Sequence, residues 1–178
     1  MKNGYMSRQF DPVTMGHLDI IRRSAKMFDK VIVVVMTNYL KKKLIMPSRR
    51  RRRVELLKRC TADMPNVDVD RYDGLLADYA RRKEAVAIVK GLRAVSDFEY
   101  EFQQALTNKN LNNELETVFI TTRAENMYLS SSVVKQVCEL GGDISTFVPA
   151  EIREDIIKMN KKIETERQQI RGVKANDY

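Results

Sequence analysis

The chain has 178 residues, 43% hydrophobic and 31% charged, which predicts one globular domain with a buried core and excludes intrinsic disorder. Its net charge is +8, from 32 basic and 24 acidic residues, but residues 41–53 alone hold eight basic residues and no acidic one. Because a nucleic-acid-binding face draws basic residues from several elements, this concentration in one segment argues against nucleic acid as a partner.

Apolar, β-branched runs predict the strands of a largely buried sheet. Residues 31–36 (VIVVVM) form the strongest run, since a continuously apolar strand is typical of a parallel sheet covered on both faces. The first strand is the weakest, because residues 1–9 offer only Tyr5 and Met6 among polar neighbours. The remaining predicted strands are residues 67–72, 85–89 and 117–122.

Apolar residues at helical spacing lie between these strands. In residues 17–28, for example, Leu18, Ile21, Ala25 and Phe28 fall on one face of a helix. Strands that alternate with helices imply βαβ units, and therefore an α/β fold of Rossmann-like type with a parallel sheet and helices on both faces. The other predicted helices cover residues 54–60, 75–82, 96–110, 131–140 and 150–160.

The predicted domain covers residues 1–160. Residues 161–178 are polar and weakly periodic, which predicts a C-terminal tail that is frayed or disordered. No internal repeat divides the chain further.

The few cysteines and histidines limit the possible chemistry. Cys60 and Cys138 lie in helical, partly apolar patterns, so we expect reduced thiols rather than a disulfide framework or a zinc site. His17, the single histidine, cannot build a two-histidine metal site. No apolar run has the length of a membrane span, and the first residues lack the apolar core of a signal peptide, so we expect a cytoplasmic location and no membrane partner.

The segment FDPVTMGHLDII, residues 10–21, is the richest in chemical signals. An Asp-Pro turn is followed by Thr14, which can cap a helix, and by Gly16, which lets the backbone approach a ligand. His17 then stands at the N-terminus of the helix, where free N–H groups and the helix dipole favour anions. The alternative is a histidine that only caps or packs. TxGH after FDP resembles the nucleotidyltransferase superfamily with the (H/T)xGH signature, whose members transfer a nucleotide monophosphate and release pyrophosphate.

Two further blocks have phosphate-binding chemistry. KGLRAVSDFEYE, residues 90–101, places cations on both sides of a glycine at the end of a strand, and Arg93 is suited to bidentate phosphate contacts. The alternative there is a solvated turn with an Arg–Asp pair. YLSSSVVK, residues 128–135, offers three hydroxyls at a helix start, which either cap the helix or hold triphosphate oxygens.

Together these three blocks closely resemble the bacterial phosphopantetheine adenylyltransferases, from about residue 10 to residue 159. The resemblance implies a sheet of strand order 3-2-1-4-5 and a reaction of ATP with 4′-phosphopantetheine that gives dephospho-coenzyme A and pyrophosphate. It also implies Mg²⁺ carried by ATP with no metal site in the protein, a homohexamer, and coenzyme A as a feedback ligand. The open alternatives are another nucleotidyltransferase of the superfamily, or a catalytically impaired relative that binds nucleotide or RNA.

The resemblance also implies site residues. His17, Lys41 and Arg93 would be catalytic. Phosphopantetheine would contact Gln9, Lys41, Leu76 and Lys90. The residues implied to bind ATP are Gln9, Phe10, His17, Gly91, Leu92, Arg93, Glu101, Asn126, Met127, Tyr128, Leu129, Ser130, Ser131 and Ser132.

Some residues depart from the family pattern. Arg8 stands where the family has a glycine, and Gln9 where it has a hydroxyl residue that contacts both substrates. A side chain at position 8 can obstruct the approach of a phosphate, which predicts impaired activity; alternatively, Arg8 itself supplies a phosphate contact. Asn126 replaces a common aromatic residue, which predicts weaker stacking on the nucleotide.

The basic segment is a second departure. Five arginines, residues 49–53, oppose the dipole at a helix N-terminus, so the helix before Val54 is expected to start late or to fray. The arginines are then either an exposed loop that binds nothing specific or a cluster near the site that attracts anions.

Overall fold

A computed structural model describes residues 2–36 and 47–175 of the chain. Its five strands form one sheet in which every neighbouring pair is parallel, in the order β3-β2-β1-β4-β5. This confirms the predicted strand order. The strands are β1 (Asn3–Arg8), β2 (Lys30–Met36), β3 (Val67–Tyr72), β4 (Ala87–Leu92) and β5 (Glu116–Thr121).

Helices cover both faces of the sheet, as predicted. One face packs the larger core, to which α1, α2, α5 and α6 contribute, and the opposite face packs smaller clusters around Tyr79, Ala80 and Leu115. The helices are α1 (Met15–Ala25), α2 (Pro47–Cys60), α3 (Leu76–Arg82), α4 (Val95–Leu111), α5 (Ser131–Glu139) and α6 (Ala150–Ala175), with a 3₁₀ turn at Ala124–Asn126.

The weakly predicted first strand is the centre of the sheet. β1 pairs with β2 along its whole length and with β4 on its other side, and Tyr5 and Met6 are fully buried. A Cβ on Gly4 would lie 2.7 Å from the ring of Phe28, so the small residue is required by close packing there. Burial and pairing on both sides therefore outweigh the poor intrinsic strand propensity of this segment.

The expectation that the helix before Val54 starts late is wrong. α2 begins at Pro47, a residue well suited to the first position of a helix. Arginines of the basic segment also have partners in the fold: Arg52 pairs with Asp155 at 2.9 Å, and buried Arg53 donates to the Gln9 carbonyl at 2.8 Å. These contacts stabilise the helix against its unfavourable charge distribution.

The terminal helix passes its predicted end at Asn160 and continues to Ala175. The added residues are mostly Lys, Glu, Gln and Arg, which have high helix propensity. The division of the chain at residue 160 stays a prediction. Asn176–Tyr178 lie outside the described residues.

Both cysteines have free thiols, and burial raises the pKa of the Cys60 thiol to about 12. Among the described helices, none combines the length and the apolar character that crossing a membrane requires.

Candidate active site

The candidate site lies where the carboxyl ends of β1 and β4 meet. These neighbouring strands belong to the two halves of the sheet, so their ends form the crevice in which α/β proteins of this topology bind ligands. The loop after β1 leads to the N-terminus of α1, and the loop after β4 carries Arg93.

His17 is held in a capping box at the start of α1. The Thr14 backbone N–H donates to Nδ1 of His17 at 3.1 Å, and the His17 backbone N–H donates to the Thr14 hydroxyl at 3.3 Å. Because a backbone N–H can only donate, Nδ1 is an acceptor, and the neutral ring carries its proton on Nε2. Burial, with the positive charges of Arg8 and Arg93, lowers the pKa of His17 to about 3. His17 is therefore a neutral hydrogen-bond donor near neutral pH.

Arg93 is fixed by neighbours from two elements. Its guanidinium forms a bidentate pair with Asp97, at 2.9 and 3.2 Å, and Nη1 donates to the Leu129 carbonyl at 2.8 Å. The Arg–Asp pair considered as the alternative interpretation is thus present. The bond to Leu129 joins the β4 loop to the segment before α5.

A first cavity, of about 80 Å³, is lined by residues from all three sequence blocks. We call it the His17 cavity. Ser130 caps α5 by accepting from the Val133 N–H, and the Ser131 hydroxyl donates to the Pro12 carbonyl at 2.8 Å. The residues implied to bind ATP that line this cavity are His17, Gly91, Arg93, Asn126, Leu129, Ser130 and Ser131.

The other residues implied to bind ATP lie outside the lining of the His17 cavity. The rings of Phe10 and His17 pack edge to face with their centroids 5.3 Å apart. The Tyr128 side chain is exposed, but its ring packs against Phe147. Among the rest, Met127 and Ser132 are exposed and Leu92 is half-buried. Gln9 lines the second cavity, which is described next, and Glu101 contacts Lys90 of that cavity.

A second cavity, of about 530 Å³, brings together three residues implied to bind phosphopantetheine, Gln9, Leu76 and Lys90. We call it the Lys90 cavity. The fourth such residue, Lys41, lies outside the described residues. The sequence interpretation did not assign the wall that α4 supplies, with Tyr100, Gln104, Thr107 and Leu111. Their spacing of four, three and four residues marks one helix face and is the signal that could have identified them.

Glu101 is paired with cations at the edge of this cavity. Its carboxylate is 3.0 Å from Lys90 Nζ and 3.6 Å from Arg8 Nη2, and the side chains of Glu101 and Lys90 are nearly buried. Glu101, which the resemblance implies to contact ATP, therefore lies between the two cations and does not line the His17 cavity. Across residues 2–36 and 47–175, no three His, Cys, Asp or Glu side chains form a group that could hold a metal ion.

Comparisons with known proteins show which family the chain belongs to. Residues 9–137 match the model of the family described as cytidylyltransferase-like. The chain is 53% identical over 153 residues to the phosphopantetheine adenylyltransferase of Caldanaerobacter subterraneus subsp. tengcongensis, covering 86% of this chain and 94% of that protein. It is 51% identical over 159 residues to the protein of the same name from Moorella thermoacetica, covering 89% and 97%.

A solved structure supports the fold. The crystal structure of a candidate nicotinate-nucleotide adenylyltransferase from Vibrio parahaemolyticus matches with a TM-score of 0.65, covering 90% of this chain and 94% of that chain. At 17% identity this similarity concerns the fold alone.

Proposed function

The chain belongs to the cytidylyltransferase-like family and to the phosphopantetheine adenylyltransferases, and we propose that it transfers the adenylyl group of ATP to 4′-phosphopantetheine. The products are dephospho-coenzyme A and pyrophosphate, which places the reaction in coenzyme A biosynthesis. The observation that carries the proposal is the pair of adjoining cavities, one lined by the three phosphate-binding blocks and the other by Gln9, Leu76 and Lys90.

We assign the phosphates of ATP to the His17 cavity. At about 80 Å³ it is too small for a whole nucleotide but suits part of a phosphate chain. His17 offers Nε2–H there, and the hydroxyls of Ser130 and Ser131 lie at the start of α5. The larger Lys90 cavity then receives phosphopantetheine, with Lys90 and Lys41 as the cations for its phosphate.

The reaction requires little covalent help from the protein. An oxygen of the acceptor phosphate attacks the α-phosphorus, a new P–O bond forms, and the bond to the bridging oxygen breaks with its electron pair leaving on pyrophosphate. The acceptor phosphate is already ionised near neutral pH, so no general base is needed. Catalysis then consists of alignment and of stabilising the charge on the phosphate oxygens, where a neutral His17 donates a hydrogen bond.

We propose that Mg²⁺ reaches the site on the phosphates of ATP. The Glu101 carboxylate is paired with Lys90, and the described part of the chain offers no metal-binding group of side chains. We therefore assign no protein ligand and no step of the reaction to the ion.

A pyrophosphate-release assay tests the reaction. We expect release with ATP and 4′-phosphopantetheine, and at most background release when CTP replaces ATP, or when nicotinate mononucleotide or a polyol phosphate replaces the acceptor. Release that depends on one of these other acceptors would instead assign the chain to a different reaction of the superfamily. RNA binding with steep salt dependence and no pyrophosphate release would contradict an enzymatic function.

The family resemblance further leads us to propose a homohexamer in the cytoplasm, with coenzyme A as a feedback ligand. Coenzyme A contains the dephospho-coenzyme A product, so it would occupy both cavities and compete with both substrates. The exposed apolar side chains along α4, which include Val95, Phe102 and Leu106, support assembly through this helix.

A further inference from the structure

Arg8 lies between the two cavities. It is the last residue of β1, and among the described residues it alone lines both the His17 cavity and the Lys90 cavity. If the two substrates occupy these cavities, their reacting phosphates meet beside this side chain.

The guanidinium of Arg8 contacts residues of β4 and α4 at the site. Its Nη2 donates to the Gly91 carbonyl at 2.8 Å and lies 3.6 Å from the Glu101 carboxylate. Within residues 2–36 and 47–175, Nε and Nη1 donate to no protein atom, and the side chain keeps 24% of its surface exposed. The side chain is thus held in place by Nη2, and Nε and Nη1 are available as donors to a ligand.

The charges around Arg8 favour an anion at this point. Glu101 is shared between Lys90 and Arg8, with the shorter distance to Lys90, so one carboxylate faces two cations. The positive charge of Arg93 is balanced by Asp97, and His17 is neutral. Among the described residues, a positive charge therefore remains uncompensated at the junction, where a phosphate group would neutralise it.

We propose that Arg8 is a catalytic residue of this chain, which binds the α-phosphate of the nucleotide at the junction of the two cavities. This inference rests on the proposed function. The free N–H groups of Nη1 can donate to an oxygen of the α-phosphate, and the positive charge of the guanidinium stabilises the charge on that phosphate while the attacking oxygen is aligned with the phosphorus. Arg8 neither gives nor takes a proton, because the acceptor oxygen is already ionised and the electron pair leaves with pyrophosphate.

Replacement of the side chain separates this role from obstruction. We expect Arg8→Ala to lower kcat by about a hundredfold, with a smaller change in KM for ATP, because the lost contact is strongest in the transition state. Arg8→Gly should lose as much activity, Arg8→Lys should keep part of it, and guanidinium ion at millimolar concentration should partly rescue Arg8→Ala. The matched control is Arg153→Ala, an exposed arginine on α6, which should leave kcat and KM unchanged.

A stereochemical measurement identifies the contacted phosphate. In the two diastereomers of ATP α-thiophosphate, sulfur replaces one or the other non-bridging oxygen of the α-phosphate. We expect Arg8→Ala to change the ratio of the rates with these two substrates severalfold. Wild-type kinetics in Arg8→Ala or Arg8→Gly, a rate increase in either, or an unchanged diastereomer ratio would overturn the proposal. Melting temperatures and ATP titration calorimetry identify any variant that fails to fold. If the unaltered chain releases no pyrophosphate from ATP and phosphopantetheine, the proposed function itself is overturned.

Discussion

His17 illustrates how one residue acquires its chemistry from the fold around it. The capping box with Thr14 fixes the ring and its tautomer, and burial beside two arginines keeps it neutral. A neutral donor at a helix N-terminus contacts a phosphate oxygen without bringing a charge that must first be desolvated.

Removal of the His17 ring should affect turnover far more than stability. We expect His17→Ala to lower kcat at least about a hundredfold, since a hydrogen bond to charge in the transition state is lost. Steady-state pyrophosphate release measures the effect, and thermal denaturation checks the fold. Arg22→Ala, an exposed change further along α1, is the control and should keep near-normal turnover. Near-normal turnover in His17→Ala would contradict the assigned role.

The low pKa of His17 also predicts a pH dependence of stability. The unfolded ring titrates near its ordinary pKa of about 6.5, whereas the folded ring titrates near 3. At intermediate pH the unfolded chain binds the extra proton, so the stabilisation is complete above about pH 6.5 and is lost as the pH falls towards 3.

Chemical denaturation of the unaltered chain and of His17→Gln tests this. Between pH 7.5 and pH 5, the unaltered chain should lose about 2 kcal/mol more unfolding free energy than the variant. Titrations of all other groups cancel in this difference. Equal losses in the two proteins would show that His17 is not buried in neutral form.

At the scale of elements, α2 packs against the rest of the fold through arginines that include Arg52 and Arg53 of the basic segment. Arg53 joins this helix to the loop that precedes α1, by its bond to the Gln9 carbonyl next to Phe10, whose φ of 46° is unusual for a bulky residue. Arg52 and Arg59 join it to α6 through Asp155. α2 therefore supports both the site loop and the terminal helix.

Asp155→Asn should weaken the contact between α2 and α6. The hydrogen bonds from Arg59 and Arg52 lower the pKa of Asp155, so its stabilising effect is present above the ordinary carboxyl pKa and is lost in acid. We expect a loss of about 1 kcal/mol at neutral pH, smaller at high salt, in denaturant titrations. Glu154→Gln breaks an exposed pair with Lys158 on the same helix and should change stability less. Equal effects of the two substitutions would indicate that the shared pairs add nothing.

At the scale of the whole molecule, α4 lines the site on one face and exposes apolar side chains on another. One face carries Tyr100, Gln104 and Thr107 along the Lys90 cavity, while Phe98 stacks on Phe102 and other apolar side chains remain exposed. An apolar face of this kind is unusual on a monomer and suits contact with further copies of the chain.

Leu106→Glu should disrupt the proposed assembly, because it places a charge on this apolar face. Light scattering coupled to size-exclusion chromatography should show a hexamer for the unaltered chain and a smaller species for the variant. Met27→Glu changes an equally exposed apolar residue outside α4 and should leave the hexamer intact. A hexamer that persists in Leu106→Glu would place the interface elsewhere.

The sequence by itself determined the fold class, the strand order through the family resemblance, and the chemical types present in the three blocks. Buried parallel strands and amphipathic helices have short-range patterns of apolar residues. A TxGH helix start or a KGLR strand end can likewise be recognised from adjacent residues. The carboxyl ends of neighbouring parallel strands must meet, so it could be expected that His17 and Arg93 lie close together.

Only the tertiary structure decided which distant residues become neighbours. β1 is central despite its polar sequence, because pairing with β2 and β4 and packing of Phe28 on Gly4 outweigh its propensity. Part of the positive charge excess of residues 41–53 has a structural role, because Arg53 is buried and Arg52 is paired with Asp155. The hydrogen bond from Arg8 to the Gly91 carbonyl joins residues that are 83 positions apart in the sequence. Such contacts depend on the packing of whole elements, and no local pattern of residues records them.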